Sequence, residues 1–199
     1  MNYLMKIAFL CLCLMVLLAP AAVGQNGAGT TRTAIGPVLR FSDHSVIPFA
    51  GATMNSNNLG VMAQISTSNL TPGNVATLWW AIFNNAKSCA GAVCAPSDLN
   101  NPAVNGSLQF GGGQIVGING RADFGGYLAN GDNSGYYILF PNMPNPAPGL
   151  VSASRAQIHL VIRDHGPASV DPMILEQQLS SFGGGCSVNQ CANVQVAIF

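Results

Sequence analysis

Val75-Ala-Thr-Leu-Trp-Trp-Ala-Ile-Phe83 runs nine residues without a charge and with one hydroxyl. Successive side chains of a strand point to opposite faces, so this run is apolar on both. Such a strand belongs in the middle of a sheet covered on both sides, with Trp79 and Trp80 anchoring opposite layers. A buried helix fits less well, because the run is short and follows the turn Thr71-Pro72-Gly73.

Around this strand lie further segments of strand character: 38–42, 60–68, 107–117, 121–129, 136–140, 156–163 and 194–199. Turn signals separate them, among them Asn119-Gly120, Asn130-Gly131-Asp132 and the proline-rich stretch 141–149. Many short strands without alternating helices predict an all-β fold, an antiparallel β-sandwich of the immunoglobulin-like kind. One short helix is expected over 172–180, with Asp171 as N-cap and Pro172 at the first position. Gly111-Gly112-Gly113 sits within a strand pattern and reads as a bulge or a close backbone approach rather than a nucleotide loop, since no helix follows it.

The N-terminus has one cation, Lys6, then an apolar run from Ile7 to Leu18, then small residues at Ala22 and Gly24. This is the pattern of a secretory signal peptide over 1–24, and the run is shorter than the ~20 residues that span a bilayer. The expected organisation is the signal, a flexible Gly- and Thr-rich segment over 25–35, and one domain over 36–199, which places the protein outside the cytoplasm, secreted or periplasmic. Beyond the signal, six cations face seven anions. So balanced and sparse a charge builds no basic patch for nucleic acid or an anionic membrane; an extracellular protein or a glycan is the partner class left open.

Four cysteines remain, Cys89, Cys94, Cys186 and Cys191, in two pairs of equal spacing. Export favours disulfides, and the short matched spacings favour 89 with 94 and 186 with 191. A four-cysteine zinc site competes but would need thiolates kept reduced outside the cell.

The concentrated polar chemistry lies in Arg155-Ala-Gln-Ile-His-Leu-Val-Ile-Arg-Asp-His-Gly-Pro-Ala168, which holds two of three histidines. As a strand it sets His159, Val161, Arg163 and His165 on one face and Leu160 and Ile162 on the other. His159 and His165, with His44 from the Asp43-His44 turn, could ligate zinc or copper through neutral imidazoles. Six strand residues span ~20 Å at ~3.3 Å each, so convergence would need a bend near Asp164. Arg163 suits a carboxylate, with Asp123 or Asp43 as candidates. No Gly-x-Ser-x-Gly elbow supports a serine hydrolase, and the single glutamate, Glu176, leaves no acid pair of glycosidase type. Trp79, Trp80, Tyr127, Tyr136 and Tyr137 could form a carbohydrate platform, with core packing the default.

Gly117-Ile-Asn-Gly-Arg-Ala-Asp-Phe124 followed by Ala156-Gln-Ile-His-Leu-Val-Ile-Arg-Asp-His-Gly-Pro-Ala168 resembles the CHRD domain family, which pairs a G-x-A-x-F strand with a later A-x-H-I-H-G-P-A strand. Ser68-Asn-Leu-Thr-Pro-Gly73 is similar to that family's L-T-P-G entry. Leu78-Trp-Trp80 and Cys191-Ala-Asn-Val-Gln195 are similar to a group of exported bacterial proteins. The resemblance implies a secreted, non-catalytic binding or structural module. Only His165-Gly166-Pro167-Ala168 matches position by position, and the family's histidines are closely spaced, so a family ligand site does not transfer intact. The alternative is a small metal-binding exported protein using His159 and His165.

Overall fold

The structure is a computed structural model, and it describes residues 30–186 and 191–199; the expected signal segment lies outside the described residues. Among the described residues nine strands form two antiparallel sheets, and one α-helix follows the eighth strand. The strands are β1 (Arg32–Gly36), β2 (Leu39–Arg40), β3 (Gly51–Ser56), β4 (Gly60–Thr67), β5 (Asn74–Phe83), β6 (Gly106–Ile115), β7 (Ala122–Ala129), β8 (Gln157–Pro167) and β9 (Ala192–Ile198), with α1 at Pro172–Ser180 between the last two. The four-stranded sheet runs β1-β3-β4-β7 and the five-stranded sheet β2-β9-β8-β5-β6. The protein is an all-β sandwich.

The alternation of β5 explains the layering. Ala76, Leu78, Trp80 and Ile82 join Ile158, Leu160 and Ile162 of β8 and meet Ala63, Ile65, Phe124 and Leu128 of the facing sheet, forming the core between the sheets. Trp79, Ala81 and Phe83 point the other way, with Val161 and Val196, into a second core. Among the described residues no sheet covers that second face. Its lid is built from the disulfide loop at Cys94, the short 3₁₀ turns Pro96–Asn100 and Pro102–Val104, the segment 138–143, and Phe182 after α1. Both indoles are buried, at 2% and 3% exposure, one in each core. A strand this apolar on both faces needs a partner layer on each.

Gly111 to Gly113 mark a bulge and a close approach, as expected. The β5–β6 register shifts between Leu78 and Trp79, opposite Gly112 and Phe110. A Cβ on Gly113 would lie 2.0 Å from the Leu179 carbonyl oxygen, so α1 rests directly on this backbone. The helix starts as expected, the Asp171 carboxylate accepting from the Met173 N–H at 2.9 Å.

Two expectations about elements are corrected, and one strand, β3, had little sequence signal. Order begins before Gly36, because Arg32–Gly36 pair with β3 along an edge; these residues are mostly exposed, so the ladder and not side-chain burial holds them. β3 has only Ala52 and Met54 facing inward, which leaves little hydrophobic signal. The 136–140 segment is not a strand but a covering loop, touching β6 through the single bridge Gln109–Tyr136. Its apolar residues serve the second core.

Candidate functional site

β8 carries the candidate residues and keeps the alternation read from the sequence. His159, Val161, Arg163 and His165 do share a face, but that face is the covered one. His159 is 5% exposed and His165 fully buried, so the polar face of this strand is closed to solvent. The physical cause is the outer face of β5: Trp79 and Phe83 need a lid, and the same lid closes over β8.

His159 packs against Phe83 with ring centroids 4.8 Å apart and the planes tilted by 55°. Its Nε2–H donates to the Gln157 side-chain oxygen at 3.2 Å, which also accepts from the Cys94 N–H at 2.6 Å. Gln157 in turn donates to the Ala92 carbonyl at 3.3 Å. The imidazole thus steadies the glutamine that ties the first disulfide loop to the sheet. Burial, with the nearby His44, lowers its pKa to about 4, so the ring is neutral at ordinary pH. Outside it lies an apolar groove of about 450 Å³ walled by Leu39, Phe41, Val93, Pro96, Val196 and Ile198, with His44 at the rim. The groove continues inward past Phe41 and His159 toward Leu99, Leu139 and Phe182.

Arg163 sits on the same strand face but serves a different neighbour. Its Nε donates to the Phe182 carbonyl at 2.6 Å, Nη1 to the Asn193 side-chain oxygen at 2.9 Å, and Nη2 to the Cys191 carbonyl at 3.4 Å. The guanidinium also lies 4.1 Å from the centroid of the Phe182 ring. The expectation of a carboxylate partner, Asp123 or Asp43, is corrected: the fork takes neutral oxygens instead. Asp123 is held across the other sheet, paired with Ser66 of β4, and Asp43 is turned onto Ser45. Arg163 therefore ties the residues before and after the second cysteine pair to β8.

His165 lies deeper. Its Nε2 meets the Thr77 hydroxyl at 2.8 Å, and that hydroxyl accepts from the Trp79 indole N–H at 2.9 Å. Its Nδ1 is 3.3 Å from the Gly184 carbonyl oxygen, 3.3 Å from Cys191 Sγ and 3.6 Å from Cys186 Sγ. Burial lowers the pKa of the ring, with Arg163 adding to the effect, against the Gly184 carbonyl and Asp164, which raise it. The Gly166-Pro167 turn that follows is clamped by Gln178, a buried helix residue: its amide donates to the Pro167 carbonyl at 3.0 Å, and its oxygen accepts from the Ser169 N–H at 2.9 Å.

The cysteines pair locally, Cys89 with Cys94 and Cys186 with Cys191. Beside the first pair, the Asp98 carboxylate accepts from the Ala90 and Ala95 N–H groups at 3.1 and 2.7 Å. Beside the second stands His165. Among the described residues the three histidines do not converge: His44 and His159 line one groove, while His165 gathers with Cys186 and Cys191. The sequence groups His165 with His159 and His44, whereas the structure sets it beside Cys186 and Cys191, which nothing in the spacing brings to it. Neither tryptophan is free to form a carbohydrate platform. Trp79 is enclosed by Phe110, Tyr137 and Phe182 at centroid distances of 5.4, 6.1 and 5.1 Å.

Two disulfides, with no helix among the described residues long and apolar enough to cross a membrane, fit an extracytoplasmic protein. Compared with family models, curated proteins and solved structures, the chain matches none.

Proposed function

We propose that the protein is an exported, non-catalytic binding module of CHRD-like type that holds a small, largely apolar molecule in the groove over His159. The observation that carries this reading is the groove itself. Its volume of about 450 Å³ falls in the range of small-molecule sites, roughly 300–1,000 Å³, which are typically apolar with a few polar groups that orient the ligand. Here the walls are aliphatic and aromatic, and the polar group at the base is an imidazole kept neutral by its surroundings. An uncharged ring suits an apolar guest, which could not replace the hydration of a cation. The wall formed by Val93 and Cys94 belongs to the loop that the first disulfide closes, and Pro96 follows it after Ala95, so the groove depends on an oxidising compartment. The signal-like N-terminus and the Ala156–Ala168 motif support export and the CHRD-like likeness in turn.

The test uses the dye 1-anilinonaphthalene-8-sulfonate as probe, with native-state fluorescence and the nitrogen-15 shifts of the His159 ring as readouts. The native protein is expected to enhance dye emission saturably at one site and to move the His159 signals. A Val93→Trp variant, which fills the groove mouth from a half-exposed position, is expected to lose both effects while keeping its melting temperature. No saturable enhancement, or equal binding by the filled variant, would overturn the reading.

A further inference from the structure

The two cysteine pairs have the same sequence separation, five positions, yet opposite surroundings. Cys94 is 2% exposed, and the pair it forms with Cys89 stands beside a carboxylate already engaged by two backbone N–H groups. A carboxylate next to a sulfur disfavours the thiolate, and both features make this pair a structural staple. Cys186 and Cys191 are half-buried. Their neighbours are an imidazole and the Arg163 guanidinium, which donates to the Cys191 carbonyl. A cationic neighbour such as Arg163 favours thiolates, and a disulfide whose thiolates are favoured is the more readily reduced.

The geometry adds a second point. The three ligand atoms, His165 Nδ1 and the two sulfurs, lie within 4.8 Å of one another. The nitrogen–sulfur separations are 3.3 and 3.6 Å. Tetrahedral zinc, with bonds of about 2.3 Å to sulfur and about 2.0 Å to nitrogen, holds such atoms about 3.5 Å apart. Thr77 suits the ring to both states. Its hydroxyl can donate to Nε2, leaving the Nδ1 proton for the Gly184 carbonyl, or accept from an Nε2–H and free the Nδ1 lone pair. Bonding of the remote ring nitrogen is what orients a metal-bound histidine, and here that partner is itself fixed by the Trp79 indole.

We infer that Cys186, Cys191 and His165 form a redox-gated metal site, closed as a disulfide and opened by a dithiol reductant to take one thiophilic cation of the zinc(II) or copper(I) type. In the opening step the reductant's two thiols become its disulfide, the Cys186–Cys191 bond breaks, and two electrons and two protons pass to the protein sulfurs. Zinc(II) then displaces the two thiol protons, leaving two thiolates and one neutral imidazole as ligands, with the fourth position unfilled by these residues. Soft sulfur ligands select such cations over magnesium or calcium. The site uses neither His159 nor the groove, so it stands or falls apart from the small-molecule reading.

The test reduces the full mature protein with a phosphine reductant under nitrogen and titrates it with cobalt(II), then zinc(II). One equivalent of cobalt is expected, with a thiolate-to-cobalt charge-transfer band that zinc bleaches. The same band is expected in a Cys89→Ser, Cys94→Ser variant, and its loss in Cys186→Ser, Cys191→Ser. Alkylation mapped on the unmutated protein guards against misfolded variants: zinc is expected to slow iodoacetamide modification of Cys186 and Cys191 at least tenfold and to leave Cys89 and Cys94 unprotected. No thiolate band in the reduced protein, a band that survives loss of Cys186 and Cys191, or protection at Cys89 and Cys94 instead, would overturn the inference.

Discussion

Lowering the pH should weaken the fold through His159 well before any carboxylate is protonated. The ring is buried against Phe83, and burial, with His44, takes its pKa from 6.5 to about 4. Between those values the unfolded chain carries a proton that the native protein refuses. Stability rises with pH wherever the unfolded state binds more protons, so the contribution is intact above pH 6.5 and is lost as pH falls toward 4. At 1.36 kcal/mol per pH unit, a gap from 6.5 to about 4 is worth about 3 kcal/mol in full, and about 2 kcal/mol of it is gone by pH 5. The perturbation is His159→Phe, which keeps a ring on Phe83 and removes the titration. It also removes the bond to Gln157, whose oxygen still accepts from the Cys94 N–H. Urea unfolding followed by tryptophan fluorescence, at pH 7.5 and pH 5.0, gives four free energies. The unmutated protein is expected to lose about 2 kcal/mol more than the variant over that interval. His165, also lowered by burial, titrates in the same direction in both proteins and cancels in the difference. Asp43 and Asp132, whose serine hydrogen bonds hold them below the ordinary carboxylate value, act at lower pH. An equal loss in both proteins would refute the reasoning and place His159 in contact with water in the native state.

Trp79→Ala and Trp80→Ala should each cost about 3–5 kcal/mol in urea unfolding, because each indole fills a different core. Gly113→Ala should destabilise by about 1–3 kcal/mol and loosen α1, read as faster amide exchange at Met173 to Leu179, because the added Cβ strikes the Leu179 carbonyl. Gln178→Ala should cost about 1–3 kcal/mol, since the buried amide that bonds the His165 and Pro167 carbonyls and the Ser169 N–H is lost; thermal unfolding measures it. Peptide mapping without reduction should recover Cys89 with Cys94 and Cys186 with Cys191; a crossed link between the pairs would contradict the structure.

What the chain announced by itself follows from local rules. The nine apolar residues of Val75–Phe83 require a sheet buried on both faces, and they occupy one. Asp171-Pro172 favours a helix start by local rules alone, because the carboxylate satisfies a free N–H and proline suits the first turn. The alternation along β8 set His159, Arg163 and His165 on one face, and the structure keeps it there. Equal short spacings paired the cysteines for the same reason: a small loop leaves few other partners within reach.

What the sequence could not decide was whether the polar face of β8 stays open or is covered. That depended on where the segment 138–143, the 3₁₀ turns and Phe182 came to rest, and none of these has a periodic pattern. An edge strand such as β1, exposed along its length, was silent because backbone ladder bonds leave no trace in side-chain hydropathy. The companions of His165 were equally hidden. Arg163 reaches Phe182, Cys191 and Asn193 across 19 to 30 positions of chain, and this draws two sulfurs to an imidazole 21 and 26 residues away. Spacing rules speak for neighbours within a turn or along a strand. A site assembled from the end of one strand, the segment after a helix and the start of the next strand exists only once the chain has folded.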